Sequence, residues 1–232
     1  MSQCIAILIR HGNYDQLENT PSAHQPFSLN KEGREQASNA VQLINEMVQE
    51  NNWILDPVIH SSNLQRAWQT ANIIADGLSQ TKSVAGFDEL AERGLGSAAN
   101  LTIEQIEQVI EQDARYESLP DNWKSDSYFC LPLQGAESLM NAGKRVADHL
   151  LKTLLEIKLS TTNEETIAKI FVGHGAAFRH AAFQLGVLQF EQLKQLSMFH
   201  AQPVALEFDA EQVWKHVAGE WKVRNNKEMN LD

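Results

Sequence analysis

The chain reads Cys4-Ile-Ala-Ile-Leu-Ile-Arg-His-Gly-Asn-Tyr14 near its amino terminus. Five of the six residues from Ile5 to Arg10 are apolar, which predicts a short strand buried on both faces. In open α/β sheets, ligands bind at the carboxyl ends of the strands. Arg10 offers a planar fork of donors that suits phosphate, and His11 offers a nucleophilic nitrogen. We therefore expect a ligand site here. The alternative explanation of this pattern is a strand that ends in two solvated polar residues.

The composition limits both the fold and the partners. The chain has 232 residues, of which 43% are hydrophobic, enough for one large domain or one domain with an insertion. Its 30 acidic residues against 19 basic ones give a net charge of −11. Such a chain repels nucleic acid and anionic membrane surfaces, so we expect neither as a partner. Any phosphate site must then be a local concentration of Arg and His.

The two cysteines, Cys4 and Cys130, lie far apart in the sequence, and one of them falls in the predicted core strand. This predicts free thiols and a reducing compartment, so we expect a cytoplasmic protein. The amino terminus has no basic region and its apolar run stops at Arg10. Neither a signal peptide nor a membrane span is expected from that pattern.

A second strand is predicted at Asp56–His60, directly before a helix. Ser62 with Gln65 three residues later has the pattern of a capping box, which predicts that the helix begins there. Arg66 then falls in or near the first turn, where a cation is unfavourable with respect to the helix dipole. An anion bound at that helix start would explain the arginine. The alternative is an exposed arginine on a helix surface.

Two further strand ends carry polar residues. The apolar run Thr166–Val172 ends in Gly173-His174-Gly175, which repeats the opening pattern of strand, histidine and glycine. Taken alone, His174 is equally explained as a buried histidine with its hydrogen bonds satisfied. The strand Lys82–Phe87 leads into an acidic turn, Asp88–Gly96, in which one carboxylate would serve as a proton donor to a bound ester. Without further context, a solvated acidic turn is the favoured interpretation of this segment.

The remaining pattern predicts an alternation of helices and strands. Helices are expected from Asn30 to Val48, Thr102 to Tyr116, Glu137 to Leu159 and about 176–185, and closing strands at Val204–Phe208 and Val213–Val217. We interpret residues 97–134 as an insertion that caps the site and shapes specificity, with a simple surface loop as the alternative. The tail past Arg224 is expected to be disordered.

These strand and helix ends suggest one site. Arg10, His11, Arg66 and His174 are all expected at the same edge of a parallel sheet, where they would surround a phosphoryl group. The sequence has no metal-ligand spacing, no Walker loop and no dinucleotide fingerprint, so we expect neither a metal nor a cofactor. A phosphate pocket built around a histidine predicts in-line transfer of the phosphoryl group to the imidazole nitrogen.

Several motifs of this chain occur in the same order in a known family. They are Leu8-Ile-Arg-His-Gly12, Ser61-Ser-x-Leu-x-Arg-Ala67 with Thr70-Ala71, Leu90-Ala-Glu-Arg93 with Gly96, Gly135-Ala-Glu-Ser-Leu139, and Gly173-His-Gly175 with Arg179. In these motifs, which span nearly the whole chain, the protein resembles the histidine phosphatase superfamily and its phosphoglycerate mutase-like branch. The resemblance implies one domain over residues 1–232, with a three-layer α/β/α sandwich around a mostly parallel sheet.

The resemblance also implies roles for individual residues. His11 would be the nucleophile that is phosphorylated during turnover. Glu92 would be the proton donor, in preference to Glu89, because it matches the family's Leu-x-Glu-Arg pattern. The phosphoryl group would be bound by side chains from the strand ends and by one backbone N–H, namely those of Arg10, Arg66, His174 and Gly175.

The chain departs from the mutase pattern in three places, one of which is Ala176, where the family usually has Asn after His-Gly. Mutases usually continue Arg-His-Gly with Glu-Ser, whereas Asn13-Tyr14 follows here, and we expect Asn13 to replace the missing small polar contact to phosphate. The insertion holds few cations, Arg115 and Lys124, whereas mutases use several there. These three departures weaken the mutase interpretation and favour a phosphatase.

Three functions remain open from the sequence. The favoured one is a metal-independent phosphomonoesterase that acts through a phosphohistidine on a phosphorylated small molecule or phosphoprotein. The others are a mutase-type phosphoryl transfer that depends on a bisphosphate primer, and a non-catalytic phosphate-binding protein. The sequence also leaves open whether the chain forms a homodimer.

Overall fold

A computed structural model of the chain describes residues 3–21, 24–160 and 165–225. Within these residues a seven-stranded sheet has the order β4-β3-β5-β1-β7-β8, with the short β2 paired to β5. Its strands are β1 Cys4–Arg10, β2 Ile54–Leu55, β3 Val58–Ser62, β4 Ser83–Phe87, β5 Ile167–Gly173, β7 Pro203–Phe208 and β8 Trp214–Ala218. A separate pair consists of β6 Leu196–Ser197 and β9 Lys222–Val223.

Helices connect and cover these strands. They are α1 Lys31–Glu50, α2 Gln65–Gly77, α3 Ile103–Gln112, α4 Leu139–Ser160, α5 Gly175–Gln184 and the short α6 Gln192–Gln195. Two 3-10 turns lie at Asp88–Leu90 and Gly96–Ala98. None of the helices in the described residues is both long enough and apolar enough to cross a membrane.

Strand β1 forms the centre of the sheet and separates two cores. Because side chains alternate between faces along a strand, Ile5, Ile7 and Ile9 pack against α1 and α2, in one buried cluster. Ala6 and Leu8 face the other way and pack against α4 and α5. The predicted three-layer α/β/α arrangement is therefore confirmed.

The register of the sheet brings the polar strand ends together. β1 runs parallel to β5, with Arg10 opposite Gly173, and the N–H of His11 donates to the carbonyl of Gly173 at 3.0 Å. β3 also runs parallel to β5, so Ser62 lies at the same edge. The predicted closing strands are the antiparallel pair β7 and β8, as expected. One edge of the sheet therefore collects the residues that the sequence placed at strand ends.

The predicted capping box at Ser62 is wrong. Helix α2 has Leu64 as its N-cap, without a side-chain cap, and begins at Gln65. The Ser62 hydroxyl instead accepts the Leu64 N–H at 3.2 Å and lies 3.0 Å from a ring nitrogen of His174. A true capping box does occur at Thr102, whose side chain and that of Gln105 satisfy each other's backbone N–H groups.

Residues 97–134 carry a small core of their own. Helix α3 ends at Gln112, earlier than the predicted Tyr116, because the chain turns at Asp113. A separate buried cluster consists of Leu95, just before this region, and four residues within it: Ala98, Ile106, Trp123 and Leu131. Residues 97–134 therefore have a packed interior of their own.

The predicted disordered tail past Arg224 falls largely on residues 226–232, outside the described residues.

Candidate active site

Arg66 holds the two predicted site histidines together. Its side chain is fully buried, and its Nε–H donates to His11 Nε2 at 3.1 Å. One terminal N–H group lies 3.2 Å from His174 Nδ1, and the other donates to the Gln25 carbonyl at 2.9 Å. The imidazole rings of His11 and His174 have their centroids 5.1 Å apart. The structure thus brings together residues that are up to 164 positions apart in the chain, at numbers 10, 11, 66 and 174.

The hydrogen bonds of His11 determine which ring nitrogen is free to react. Its Nδ1 lies 2.8 Å from the carbonyl oxygen of Gly12. A carbonyl only accepts hydrogen bonds, so Nδ1 carries the proton and Nε2 carries the lone pair. The Gly12 N–H donates to the Thr70 hydroxyl at 3.0 Å, which fixes this turn against α2. A Cβ at position 12 would lie 3.0 Å from the Cα of Gly33, so only glycine fits this close approach to α1.

Burial and neighbouring cations keep both histidines neutral. Burial, followed by Arg66, His174 and Arg10, holds the pKa of His11 well below its ordinary value of 6.5. Burial, followed by Arg66 and nearby His24, does the same to the pKa of His174. Desolvation disfavours the charged imidazolium, and adjacent cations repel it. At neutral pH the Nε2 atom of His11 is therefore unprotonated, as a nucleophile requires, and in this structure its lone pair accepts the Nε–H of Arg66.

Ser62 also belongs to this cluster, although its spacing from Gln65 predicts a helix cap. His174 Nδ1 accepts from Arg66, so its Nε2 carries the proton and donates to Ser62 Oγ at 3.0 Å. This fixes the tautomer of His174. The sequence did contain a signal for this role, because Ser62 lies in the Ser61-Ser62 motif. The spacing to Gln65 instead favoured the interpretation as a helix cap.

Arg10 and Gly175 meet at the start of α5. The Arg10 Nη1 group donates to the Met198 carbonyl at 3.1 Å. A Cβ at Gly175 would lie 3.2 Å from Arg10 Cδ, so the absence of a side chain lets the arginine pass across the helix start. Gly175 is the first residue of α5 and His174 is its N-cap. The positive end of the helix dipole therefore points toward the cluster, which favours an anion.

Glu92 lies at the same helix start. Its Oε1 accepts the N–H of Ala177 and the N–H of Arg93, both at 3.0 Å, and its Oε2 accepts the N–H of Ala176 at 3.3 Å. The residue is only 8% exposed, whereas Glu89 is exposed. The structure therefore places the carboxylate of Glu92 against the first turn of α5, directly after His174, whereas Glu89 is exposed. Its role as proton donor stays a prediction.

Asn13 is the predicted site residue whose side chain is not bound to the cluster. Its amide nitrogen donates to Glu32 at 2.8 Å, and its amide oxygen accepts the N–H of Tyr14 at 2.9 Å. These bonds hold the side chain against the first turn of α1. A direct contact between Asn13 and a phosphate stays a prediction.

Two residues beside His11 were not identified from the sequence. The ring of Tyr14 lies under Arg66, whose Cζ is 4.7 Å from the ring centroid. His200 donates from Nδ1 to the His11 carbonyl at 2.8 Å, and the two rings are 5.5 Å apart. Burial and then Arg10 lower the pKa of His200 to about 4. His200 lies in the segment before β7, far from any motif, and no sequence signal indicates it.

One known protein family matches most of this chain in sequence. The sequence model of the histidine phosphatase superfamily (branch 1) matches residues 6–220 of this chain. No curated protein matches it in sequence.

Several solved structures share the fold. A protein named mycobacterial hydrolase 2 is 21% identical with a TM-score of 0.70, covering 100% of this chain and 97% of that one. A mycobacterial glucosyl-3-phosphoglycerate phosphatase, solved with inorganic phosphate, is 22% identical with a TM-score of 0.66, covering 92% and 95%. An alpha-ribazole phosphatase from Shigella flexneri is 19% identical with a TM-score of 0.65, covering 96% of both chains. At these identities the likeness shows the fold.

Proposed function

This chain belongs to the histidine phosphatase superfamily, and from that premise we propose that it hydrolyses phosphate monoesters through a phosphohistidine on His11. The observation that supports this most directly is the state of the His11 ring. Its Nδ1–H is bound to the Gly12 carbonyl, which leaves a neutral Nε2 facing a fully buried guanidinium. A nucleophile beside a fixed cation is the arrangement that phosphoryl transfer to a side chain needs.

In the first half of the reaction, the His11 Nε2 lone pair attacks phosphorus. A P–N bond forms, the P–O bond to the ester oxygen breaks, and that oxygen takes a proton from Glu92. The donors of Arg66 that reach the two imidazoles in this structure would turn to the phosphoryl oxygens. Together with Arg10 and His174, they would stabilise the charge that spreads over those oxygens in the transition state.

In the second half, a water molecule attacks the phosphohistidine. Glu92, now ionised, takes the water's proton, the P–N bond breaks, and inorganic phosphate leaves. His11 Nε2 recovers its lone pair, so the enzyme returns to its starting state. No step changes an oxidation state, and every proton is returned.

Hydrolysis is favoured over the mutase reaction by two observations. Residues 97–134 hold few cations that could bind a second anionic group, and one of them, Arg115, is paired with Asp113. Two of the structurally similar proteins are named as phosphatases, which supports a phosphatase here. We propose as substrate a phosphorylated small molecule or phosphoprotein. The free Cys4 and Cys130 support a reducing, cytoplasmic setting.

Hydrolysis of p-nitrophenyl phosphate in EDTA tests this proposal. We expect turnover by the wild-type protein and by His216→Ala, which alters an exposed histidine, and none by His11→Ala. A rapid quench should trap acid-labile phosphate on the wild-type protein alone. Activity in His11→Ala would overturn the proposal. Stimulation of isomerisation by a bisphosphate would identify a mutase, and phosphate binding without turnover would identify a binding protein.

A further inference from the structure

Ser127 and His180 form a buried hydrogen-bonded pair behind the site. Ser127 lies within residues 97–134 and His180 lies on α5, and they are 6% and 1% exposed. The Ser127 hydroxyl is 3.1 Å from His180 Nε2, and His180 Nδ1 is 2.8 Å from the carbonyl oxygen of Ala176. Neither residue belongs to the family motifs found in the sequence.

The direction of these hydrogen bonds follows from the chemistry of each group. The Ala176 carbonyl only accepts, so His180 Nδ1 carries the proton and donates it. His180 Nε2 is then an acceptor, and the Ser127 hydroxyl must be its donor. A continuous series of hydrogen bonds therefore runs from Ser127 through His180 to the backbone of Ala176, and each donor in it has an acceptor.

This series of hydrogen bonds continues from the backbone of Ala176 to the carboxylate of Glu92. The peptide group whose carbonyl accepts from His180 lies in the first turn of α5, where the N–H groups of Ala176 and Ala177 hold the two oxygens of Glu92. A second connection runs through Arg93. Its N–H donates to Glu92 Oε1, and its Nη1 donates to the Lys124 carbonyl at 3.1 Å. Two routes from residues 124–127 therefore reach one carboxylate.

Tight packing fixes His180 and Ser127 in place. A Cβ at Gly143 of α4 would lie 2.6 Å from the carbonyl carbon of His180, so α4 and α5 are in direct contact there. The carbonyl of Ser127 accepts the N–H of Met140, at the start of α4, at 2.9 Å. The backbone of each residue is therefore held against α4, and the Ser127 hydroxyl and the His180 imidazole meet between these fixed points.

We propose that Ser127 and His180 are positioning residues for Glu92, through which the 97–134 region sets the geometry of proton transfer to the leaving group. The proposal rests on the proposed function, in which Glu92 is the proton donor. It makes this region part of the catalytic apparatus, in addition to its predicted part in specificity. Neither residue touches the substrate. Their effect is on the orientation of the carboxylate.

The expected signature is a dependence on the leaving group. An alkoxide needs a proton as it departs, whereas p-nitrophenolate does not, so misplacing the acid should slow alkyl esters selectively. We expect Ser127→Ala to lower kcat on β-glycerophosphate by about 10- to 100-fold. We expect its kcat on p-nitrophenyl phosphate to change by less than about threefold. Ser127→Thr, which keeps the hydroxyl, should restore most of the alkyl activity.

The controls separate this role from a loss of folding. Ser118→Ala removes an exposed hydroxyl from the same region and should leave both activities unchanged. The ratio of alkyl to aryl rates is measured on one preparation, so an inactive fraction cancels. Equal losses on both esters in Ser127→Ala, or no loss at all, would overturn the proposal. If Ser127→Ala does not fold, His180→Gln should show the same change in ratio.

A double-mutant cycle tests whether the effect passes through Glu92. Glu92→Gln should itself lower the alkyl-to-aryl ratio. Adding Ser127→Ala to it should lower the ratio no further, because residues that act through one group are not additive. A full second loss would overturn the proposal. Wild-type protein that forms no phosphohistidine would instead overturn the proposed function, and this is read separately from acid-labile phosphate on His11.

Discussion

Acidification should lower the free energy of unfolding of this protein through His180. The size of the effect follows from the burial of the imidazole and from its cationic neighbour Arg179. Burial, followed by Arg179, lowers the pKa of His180 from 6.5 to about 3 in the folded protein. Below pH 6.5 the unfolded chain therefore binds a proton that the folded protein excludes. The corresponding stability is present above pH 6.5 and is lost as the pH falls. Between pH 7 and pH 5 the loss from this one residue is about 2 kcal/mol in the free energy of unfolding.

The assay is urea unfolding at pH 7 and at pH 5 on wild type and His180→Gln. Glutamine does not titrate, so the variant should lose about 2 kcal/mol less than wild type between the two pH values, whatever its stability at pH 7. Buried His11 and His174 contribute further loss in both proteins, since burial also lowers their pKa values. Exposed His216→Gln is the control and should behave as wild type. An equal loss in wild type and His180→Gln would refute the neutral, hydrogen-bonded His180.

Two other substitutions test the site and its support. Arg66→Lys keeps the charge but loses the planar fork of donors that reaches both imidazoles, so kcat/KM on an aryl phosphate should fall by about 10²-fold. The control Arg34→Lys alters an exposed arginine and should leave kcat/KM unchanged. Wild-type activity in Arg66→Lys would contradict the assigned geometry. Gly143→Ala pushes a methyl group into the backbone of His180 and should cost about 1–3 kcal/mol in urea unfolding. Gly94→Ala, whose methyl meets no atom nearer than 3.6 Å, should cost less, and equal costs would contradict the close packing of α4 on α5.

The parts of the site that depend on strand periodicity were predictable. Runs of apolar residues identified β1 and β5, and a parallel sheet places the ends of its strands at one edge. Arg10, His11 and His174 follow from that rule without any knowledge of tertiary contacts. The resemblance then separated Glu92 from Glu89, a choice that periodicity alone could not make.

The contacts that hold those residues were not predictable from local patterns. Ser62 had the spacing of a helix cap, but α2 begins with Leu64 as its N-cap, and the hydroxyl that the pattern assigned to the helix lies against His174. His200 reaches the His11 carbonyl from a segment 189 positions away, with no motif around it. Both depend on how the sheet register brings distant segments together, which no short window of sequence contains.

His180 shows why the supporting residues of a site are the hardest to recognise. It lies among Ala and Phe residues of α5, where it is buried and both of its ring nitrogens are hydrogen-bonded. Its partner Ser127 is 53 positions earlier, in a region whose sequence is irregular. A group that reacts must reach the substrate, so its kind and place are constrained by chemistry shared across a family. A group that only positions another is constrained by local packing, and each chain can satisfy that with different residues. The residues that we propose to react can therefore be recognised by motif, whereas those that we propose to position them are found only in the structure.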